Sequence, residues 1–334
     1  MRVAINGFGR IGRSILRALA TTRGGEGVEV ALLNDLAPLE TCAYLFEYDS
    51  TFGPFPGRVE MRPGALALNG AAIPFHHAPD LSALDLSGID VVLECTGWAN
   101  TRDVAERGLR AGAEAVLISG PSVAADVTVV TGANDAALTD QAIVSNASCT
   151  TNAVAPLLKL LDDLWGVESA HMTTIHCYTG SQPTVDAPRE DLARSRAAAL
   201  SMVPTTTSAT KLVEHILPHL KGRTTGAAVR VPTASVSAVD LTARLARRPE
   251  DFTERLRAAC AASPVLGWTD RPLVSSDLRA RPESLVLAGP ETLCGPEMTR
   301  LFGWYDNEWG FANRIIDVAR RMARRDWEEN TNVA

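Results

Sequence analysis

Three glycines near the start of the chain, Gly7, Gly9 and Gly12 in "INGFGRIGR", limit the possible folds more than any other feature. They follow "RVAIN", a short apolar run suited to a buried parallel strand. They precede a stretch in which Ile11, Ile15, Leu16 and Leu19 recur at helical spacing. Strand, G-x-G-x-x-G and helix in that order form a dinucleotide-binding turn. The glycines permit a tight bend and a close approach of pyrophosphate, and the helix end presents unpaired N–H groups and a positive dipole end. A glycine turn with a purely structural role is the alternative, which the flanking elements disfavour.

The strand pattern recurs in "VEVALLND" (28–35), "IDVVLECTG" (89–97), "AEAVLIS" (113–119) and "QAIVSNA" (141–147), mostly separated by helical or polar segments. Such alternation predicts an α/β domain with a doubly wound, mostly parallel sheet over the first half of the chain. With 334 residues there is room for a second domain. After residue 149 the pattern changes. Val154, Leu157, Leu158, Leu161 and Trp165 mark one helix face, and Pro156 inside it predicts a kink or irregular first turns. "HMTTIHCYTG", "GAAVRVPTASVS" and "AVDLTARLA" then read as strands of an antiparallel sheet. The polar stretch 179–203 between the first two suggests a functional loop or a subunit contact. Ala312, Ile315, Ile316, Ala319 and Met322 mark a basic-faced C-terminal helix.

If the glycine turn holds a dinucleotide, Asp35 at the end of the second strand can accept hydrogen bonds from the adenosine ribose, and it would repel a 2′-phosphate. NAD is therefore expected over NADP, with a solvated loop aspartate as the plainer reading. Thr96 and Gly97 close a later strand at the carboxyl edge where open α/β sheets bind ligands, and Ser119 sits at the same level.

The six cysteines are scattered without C-x-x-C pairs, so neither structural zinc nor a disulfide framework is expected. The opening residues show no basic-then-apolar leader, no apolar run is long enough to span a bilayer, and no block of like charge suits nucleic acid. A reducing, cytoplasmic setting follows, with neither membrane nor nucleic acid as partner. Cys149 in "SNASCTTN" follows a strand and opens a helix, where unpaired N–H groups favour a thiolate. His176 ends "MTTIH" and can meet it through the fold. Together they would supply a nucleophile and a general acid/base, whereas spacing alone leaves a core thiol and a core histidine equally open. Thr179, Arg194, Thr207 and Arg230 are candidates for holding an oxyanion.

With "INGFGRIGR", "SNASCTTN", "MTTIH", "VRVPT" and "WYDNEWGFANR" in this order, the chain resembles the phosphorylating glyceraldehyde-3-phosphate dehydrogenases from end to end. The resemblance implies a Rossmann NAD-binding domain, residues 1–148 joined by a C-terminal helix over 312–334, and an α+β catalytic domain, residues 149–311. It implies that Cys149 attacks the aldehyde of D-glyceraldehyde 3-phosphate, that His176 acts as the base, and that inorganic phosphate releases the thioester as 1,3-bisphosphoglycerate. It assigns Ser148, Thr150, Arg194, Thr207 and Ser208 to the attacking phosphate, and Thr179 and Arg230 to the substrate's own. Arg10 and Ile11 match the pyrophosphate turn, and Asn307 the residue that holds the nicotinamide amide. A homotetramer is implied, with the loop 179–203 packed against a neighbour's cofactor site. The family usually has glycine where this chain has Ser208, which puts the backbone approach there in question. Erythrose-4-phosphate dehydrogenase, which hydrolyses its thioester, is the sibling alternative. A Cys/His hydrolase and a catalytically silent NAD-binding protein are alternatives of other classes.

Overall fold

The computed structural model describes residues 1–22, 25–247 and 250–323. The chain divides into two compact units. The first comprises Met1–Val129, Asp135–Ser148 and the chain from Ala312 onward; the second comprises Val130–Asn134 and Cys149–Phe311.

The first unit is built on a nine-stranded sheet. Across it run Val127–Thr128, Ile143–Ser145, Ala115–Ile118, Val91–Glu94, Arg2–Asn6, Glu29–Asn34 and Ala71–His76. These pair in parallel. The order reverses beside Arg2–Asn6, which has the second strand on one side and Val91–Glu94 on the other, so a crevice opens at the carboxyl ends of these strands. An apolar cluster including Ala4, Leu32, Val92, Val116 and Ile143 fills one side of the sheet. Each large side chain so buried contributes about 1.5–3 kcal/mol. Ala65–Leu68 and Val59–Arg62 extend the sheet antiparallel at one edge. The alternation of strand and helix did not predict these short strands, because glycine turns rather than helices join them.

The second unit holds an eight-stranded sheet in which most pairs are antiparallel, as expected. Val203–Thr205, Thr224–Val231, Val167–Cys177, Ser237–Leu245, Thr299–Tyr305, Leu285–Ala288 and Leu266–Thr269 lie side by side, with Leu293–Cys294 paired to Thr299–Tyr305. Thr224–Val231 runs parallel to Val167–Cys177, and Leu266–Thr269 parallel to Leu285–Ala288. Burial on one face does not report strand direction, so alternation could not tell parallel from antiparallel here. "GAAVRVPTASVS" is not one strand either. It breaks after Val231 and resumes at Ser237, just past Val236, whose φ of 66° is unusual for a β-branched residue.

The helix Cys149–Trp165 packs on Val167–Cys177 and Ser237–Leu245. It runs unbroken through Pro156, which costs only the bond that its missing N–H would have given to the Asn152 carbonyl. Its far end is anchored by Trp165, whose ring lies 4.5 Å from that of Phe252. The last helix is described over Trp309–Ala323, so the expected continuation over 324–334 lies outside the described residues. Among the described residues, no helix is long and apolar enough to cross a membrane.

Candidate active site

Two sites emerge, one in each unit. In the first unit, a pocket of about 430 Å³ opens at the strand ends, lined by Gly7, Gly9, Asp35 and Thr96 together with Asn6, Asn34, Leu36, Glu94, Trp98 and Arg107, among others. That volume suits a drug-sized or nucleoside-sized ligand. Its floor is a buried polar network that the strand pattern did not reveal. Asn34 Nδ2 donates to Asn6 Oδ1 at 2.8 Å, and Asn6 Nδ2 donates to Glu94 Oε2 at 2.5 Å. Glu94 Oε1 also accepts from the Thr96 N–H at 3.0 Å and from the Thr96 hydroxyl. The legible signal was a polar residue ending each of three apolar strands.

The glycines of the turn differ in role. A Cβ on Gly12 would lie 2.2 Å from the Gly7 carbonyl oxygen, and one on Gly7, whose φ is 93°, would meet the Cys95 carbonyl carbon at 2.7 Å. Gly9 has nothing within 4 Å of its Cβ position and caps the helix Arg10–Thr21 without a side chain. Gly7 and Gly12 therefore serve the packing of the turn, while Gly9 leaves the approach to the helix end, and to the first-turn position Ile11, unobstructed. Between them Phe8 points inward, with its ring centroid 6.0 Å from Phe46 and 6.1 Å from Phe75, which pins the turn to the core. Asp35 accepts from the Phe8 N–H at 2.6 Å and the Ala37 N–H at 2.8 Å, so its carboxylate is already fixed at the pocket edge. Such a cradle fits a dinucleotide. The Arg10 side chain turns elsewhere, pairing with Asp49 and lying 5.6 Å over the Phe52 ring. Gly97 has a φ of 77°, and Ser119 donates its N–H to the Glu94 carbonyl at 2.9 Å.

In the second unit, Cys149 is the first residue of its helix and His176 the penultimate residue of the strand Val167–Cys177. The sulfur lies 3.7 Å from His176 Nε2. His176 Nδ1 lies 2.7 Å from the Cys177 carbonyl oxygen, which can only accept, so this nitrogen carries the proton and Nε2 presents its lone pair to the thiol. Arg230 Nη1 is 3.2 Å from Nδ1; two donors do not bond, and its partners are the Cys177 carbonyl at 3.1 Å and Thr179 Oγ1 at 3.2 Å. Burial, followed by the Arg230 charge, lowers the His176 pKa from 6.5 to about 4. Burial pushes the Cys149 thiol above its ordinary range, and the Thr150 hydroxyl and N–H and the Arg230 charge pull it back. Cys149 as a residue is only partly buried, which tempers the upward push. A standing thiolate is thus not favoured by the helix end alone. Neither group charges easily by itself, so the protonation states of the two are coupled.

Strand register builds this site. Arg230 pairs with His176, Ile175 with Ala238 and Ser237 with Tyr305, so one row across four strands carries Arg230, His176, Ser237 and Tyr305. Ser237, Tyr305, Thr174 and Cys177 were not among the expected site residues. Asn307 is buried, and its Oδ1 accepts from the Cys177 thiol at 3.1 Å and from Ser237 Oγ at 3.3 Å, which turns its NH2 end away as a donor. The Thr150 hydroxyl meets that of Tyr305 at 2.9 Å, while Ser148 lies just before Cys149. Arg194 donates to Thr205 Oγ1 at 2.7 Å, and Thr205 belongs to the strand paired with that of Arg230. Thr207 accepts from the Ala209 N–H at 3.1 Å, and Ser208 caps the following helix at φ −81°. That conformation is open to any residue, so serine sits there without backbone strain. Among the described residues, no group of His, Cys, Asp and Glu could hold a metal ion.

Comparison with known proteins finds the same family in both units. Residues 1–102 match the family described as glyceraldehyde 3-phosphate dehydrogenase, NAD binding domain, and residues 148–307 match its C-terminal domain. The chain is 45% identical over 333 residues to a glyceraldehyde-3-phosphate dehydrogenase of Xanthobacter flavus, covering 97% of this chain and 99% of that one. It is 46% identical over 332 residues to one of Cereibacter sphaeroides, with 97% and 99% covered. A glyceraldehyde-3-phosphate dehydrogenase 1 of Streptomyces arenae is 44% identical over 329 residues, with 96% and 97% covered.

Proposed function

The chain belongs to the glyceraldehyde 3-phosphate dehydrogenase family, an NAD-dependent oxidoreductase family, and on that premise we propose the chemistry its residues perform. The protein oxidises D-glyceraldehyde 3-phosphate with inorganic phosphate as co-substrate, giving 1,3-bisphosphoglycerate. NAD, when bound at the glycine turn, supplies the hydride acceptor. Cys149 attacks the aldehyde carbon while its proton passes to His176 Nε2 and on to the new alkoxide, giving a thiohemiacetal. His176 then takes the hydroxyl proton as hydride leaves the carbon, and a thioester remains on the sulfur. A phosphate oxygen attacks its carbonyl, the sulfur departs, and the acyl phosphate is released. A positioned base of this kind contributes about 10²–10⁴ in rate. The observation that supports this reading most is the 3.7 Å approach of the sulfur to a nitrogen whose lone pair is exposed by tautomer.

Arg230 and Thr179, joined at 3.2 Å, hold the substrate's own phosphate. Arg194, Thr207, Ser208, Ser148 and Thr150 receive the attacking one. Asp35 takes the ribose hydroxyls, Thr96, Gly97 and Ser119 border the cofactor, and the first-turn amides of Arg10 and Ile11 face the pyrophosphate. Asn307 donates to the nicotinamide amide. The protein works as a homotetramer, a reading supported by Val185, Leu192, Leu200 and Met202, which are large, apolar and exposed on the 179–203 loop. Six unpaired cysteines suit a reducing cytoplasm.

Steady-state rates with glyceraldehyde 3-phosphate and with erythrose 4-phosphate, each with and without phosphate, test the proposal. Phosphate-dependent turnover of the triose is expected. Phosphate-independent turnover of the tetrose as the faster reaction would overturn it in favour of the hydrolysing sibling.

A further inference from the structure

Tyr305 ends the strand Thr299–Tyr305, two strands away from His176 across Ser237–Leu245. Its ring is buried, and no step of the reaction above uses it. The phenolic oxygen nevertheless lies 2.9 Å from Thr150 Oγ1 and 2.8 Å from Thr174 Oγ1. Thr150 is the residue after the nucleophile, in the first turn of its helix. Thr174 stands two residues before His176 on the same strand, and so on the same face. One oxygen therefore bonds both the element that carries the sulfur and the element that carries the imidazole. The Tyr305 ring also approaches the imidazole edge-on, with centroids 6.0 Å apart and planes at 80°.

A tyrosine suits this post. Its hydroxyl sits on a rigid ring with two rotatable bonds, and it can donate to one threonine while accepting from the other. Apolar packing between a helix and a strand tolerates small slides. A hydrogen-bonded bridge has a defined length.

We propose that Tyr305 is a positioning residue, which sets the reach between Cys149 Sγ and His176 Nε2 by tying Thr150 and Thr174 to a single phenolic oxygen. The inference rests on the Cys149–His176 reading, and its test separates the two. The charged and titratable groups around the bridge are Cys149, Cys177, His176 and Arg230, so the bridge acts on the pair through geometry and through their shared proton.

The experiment compares wild type with Tyr305→Phe, Thr174→Val and Thr174→Ser. The readouts are the pH profile of Cys149 alkylation by iodoacetamide, the pre-steady-state burst of NADH, substrate KM and the Kd for NAD. Cys149→Ser is the control. Tyr305→Phe and Thr174→Val are expected to slow the burst at least about tenfold and displace the alkylation profile, since small misplacements of reacting groups cost rates of that order. KM and the NAD Kd should stay within about twofold, and Thr174→Ser should retain wild-type behaviour. A wild-type burst and alkylation profile in Tyr305→Phe, even with a lowered melting temperature, would reduce the bridge to a core hydrogen bond and overturn the proposal. If Tyr305→Phe does not fold, the same outcome in Thr174→Val overturns it. Retained turnover in Cys149→Ser would instead refute the underlying nucleophile assignment.

Discussion

The sulfur of Cys149 faces Nε2 of His176 at 3.7 Å, while the other ring nitrogen is held by the Cys177 carbonyl at 2.7 Å. The second contact gives the first its direction, because a proton fixed on Nδ1 leaves Nε2 as the acceptor. Replacing His176 with Asn, which keeps polarity but removes the base, should lower the acylation rate by about 10²–10⁴. Cys149→Ser should abolish oxidation while leaving NAD affinity intact. A single-turnover measurement of NADH formation, paired with calorimetric NAD titration, checks both.

Burial of His176 has a consequence for stability. Its imidazole is held at about 4 in the folded chain against 6.5 as its ordinary value, so the unfolded chain binds the extra proton in that window. The favourable contribution is complete above pH 6.5 and is lost as pH falls through about 4. The shift corresponds to on the order of 3 kcal/mol. Urea unfolding midpoints between pH 4 and 7 should fall more steeply with acid for wild type than for His176→Asn. Parallel curves would count against a buried neutral imidazole.

Under the proposed function, Arg230 links the histidine to phosphate recognition. Its charge helps hold the imidazole neutral, and its Nη1 spans the Cys177 carbonyl and Thr179. Arg230→Leu should raise KM for the phosphorylated aldehyde about tenfold or more, as expected for loss of a charged hydrogen bond. It should also move the acid limb of kcat/KM to higher pH, because the imidazole then protonates more readily. A pH series of kcat/KM for both proteins reads the two effects together.

Two glycines of one turn should respond oppositely. Gly9 has φ −73° and open space at its Cβ position, so Gly9→Ala should change stability by less than about 1 kcal/mol while weakening NAD binding tenfold or so. Gly12→Ala places a methyl 2.2 Å from the Gly7 carbonyl oxygen and should destabilise the fold by about 2–3 kcal/mol. Denaturant titration and calorimetry on the two variants distinguish a cofactor surface from a packing contact.

Much of this was legible in the chain itself. The glycine turn, the strands that follow it and the helix opened by Cys149 are local patterns, set by side-chain period and by the conformations that glycine allows. What remained hidden depended on strand pairing. The pattern "MTTIH" puts Thr174 and His176 on one face, yet nothing local says that Arg230 will lie beside His176 in parallel register, or that Tyr305 will reach Thr150 and Thr174 from two strands away. Likewise, Asn6, Asn34 and Glu94 each looked like an isolated polar residue until adjacent strand ends joined them. The sequence by itself determined the principal elements and the cofactor turn, and singled out Cys149 and His176 as candidates for nucleophile and base. Only the tertiary structure decided which nitrogen of His176 carries the proton, and that burial works against a standing thiolate. Tautomer and proton affinity arise from burial and from neighbours that the sheet register, not the order of residues, brings together.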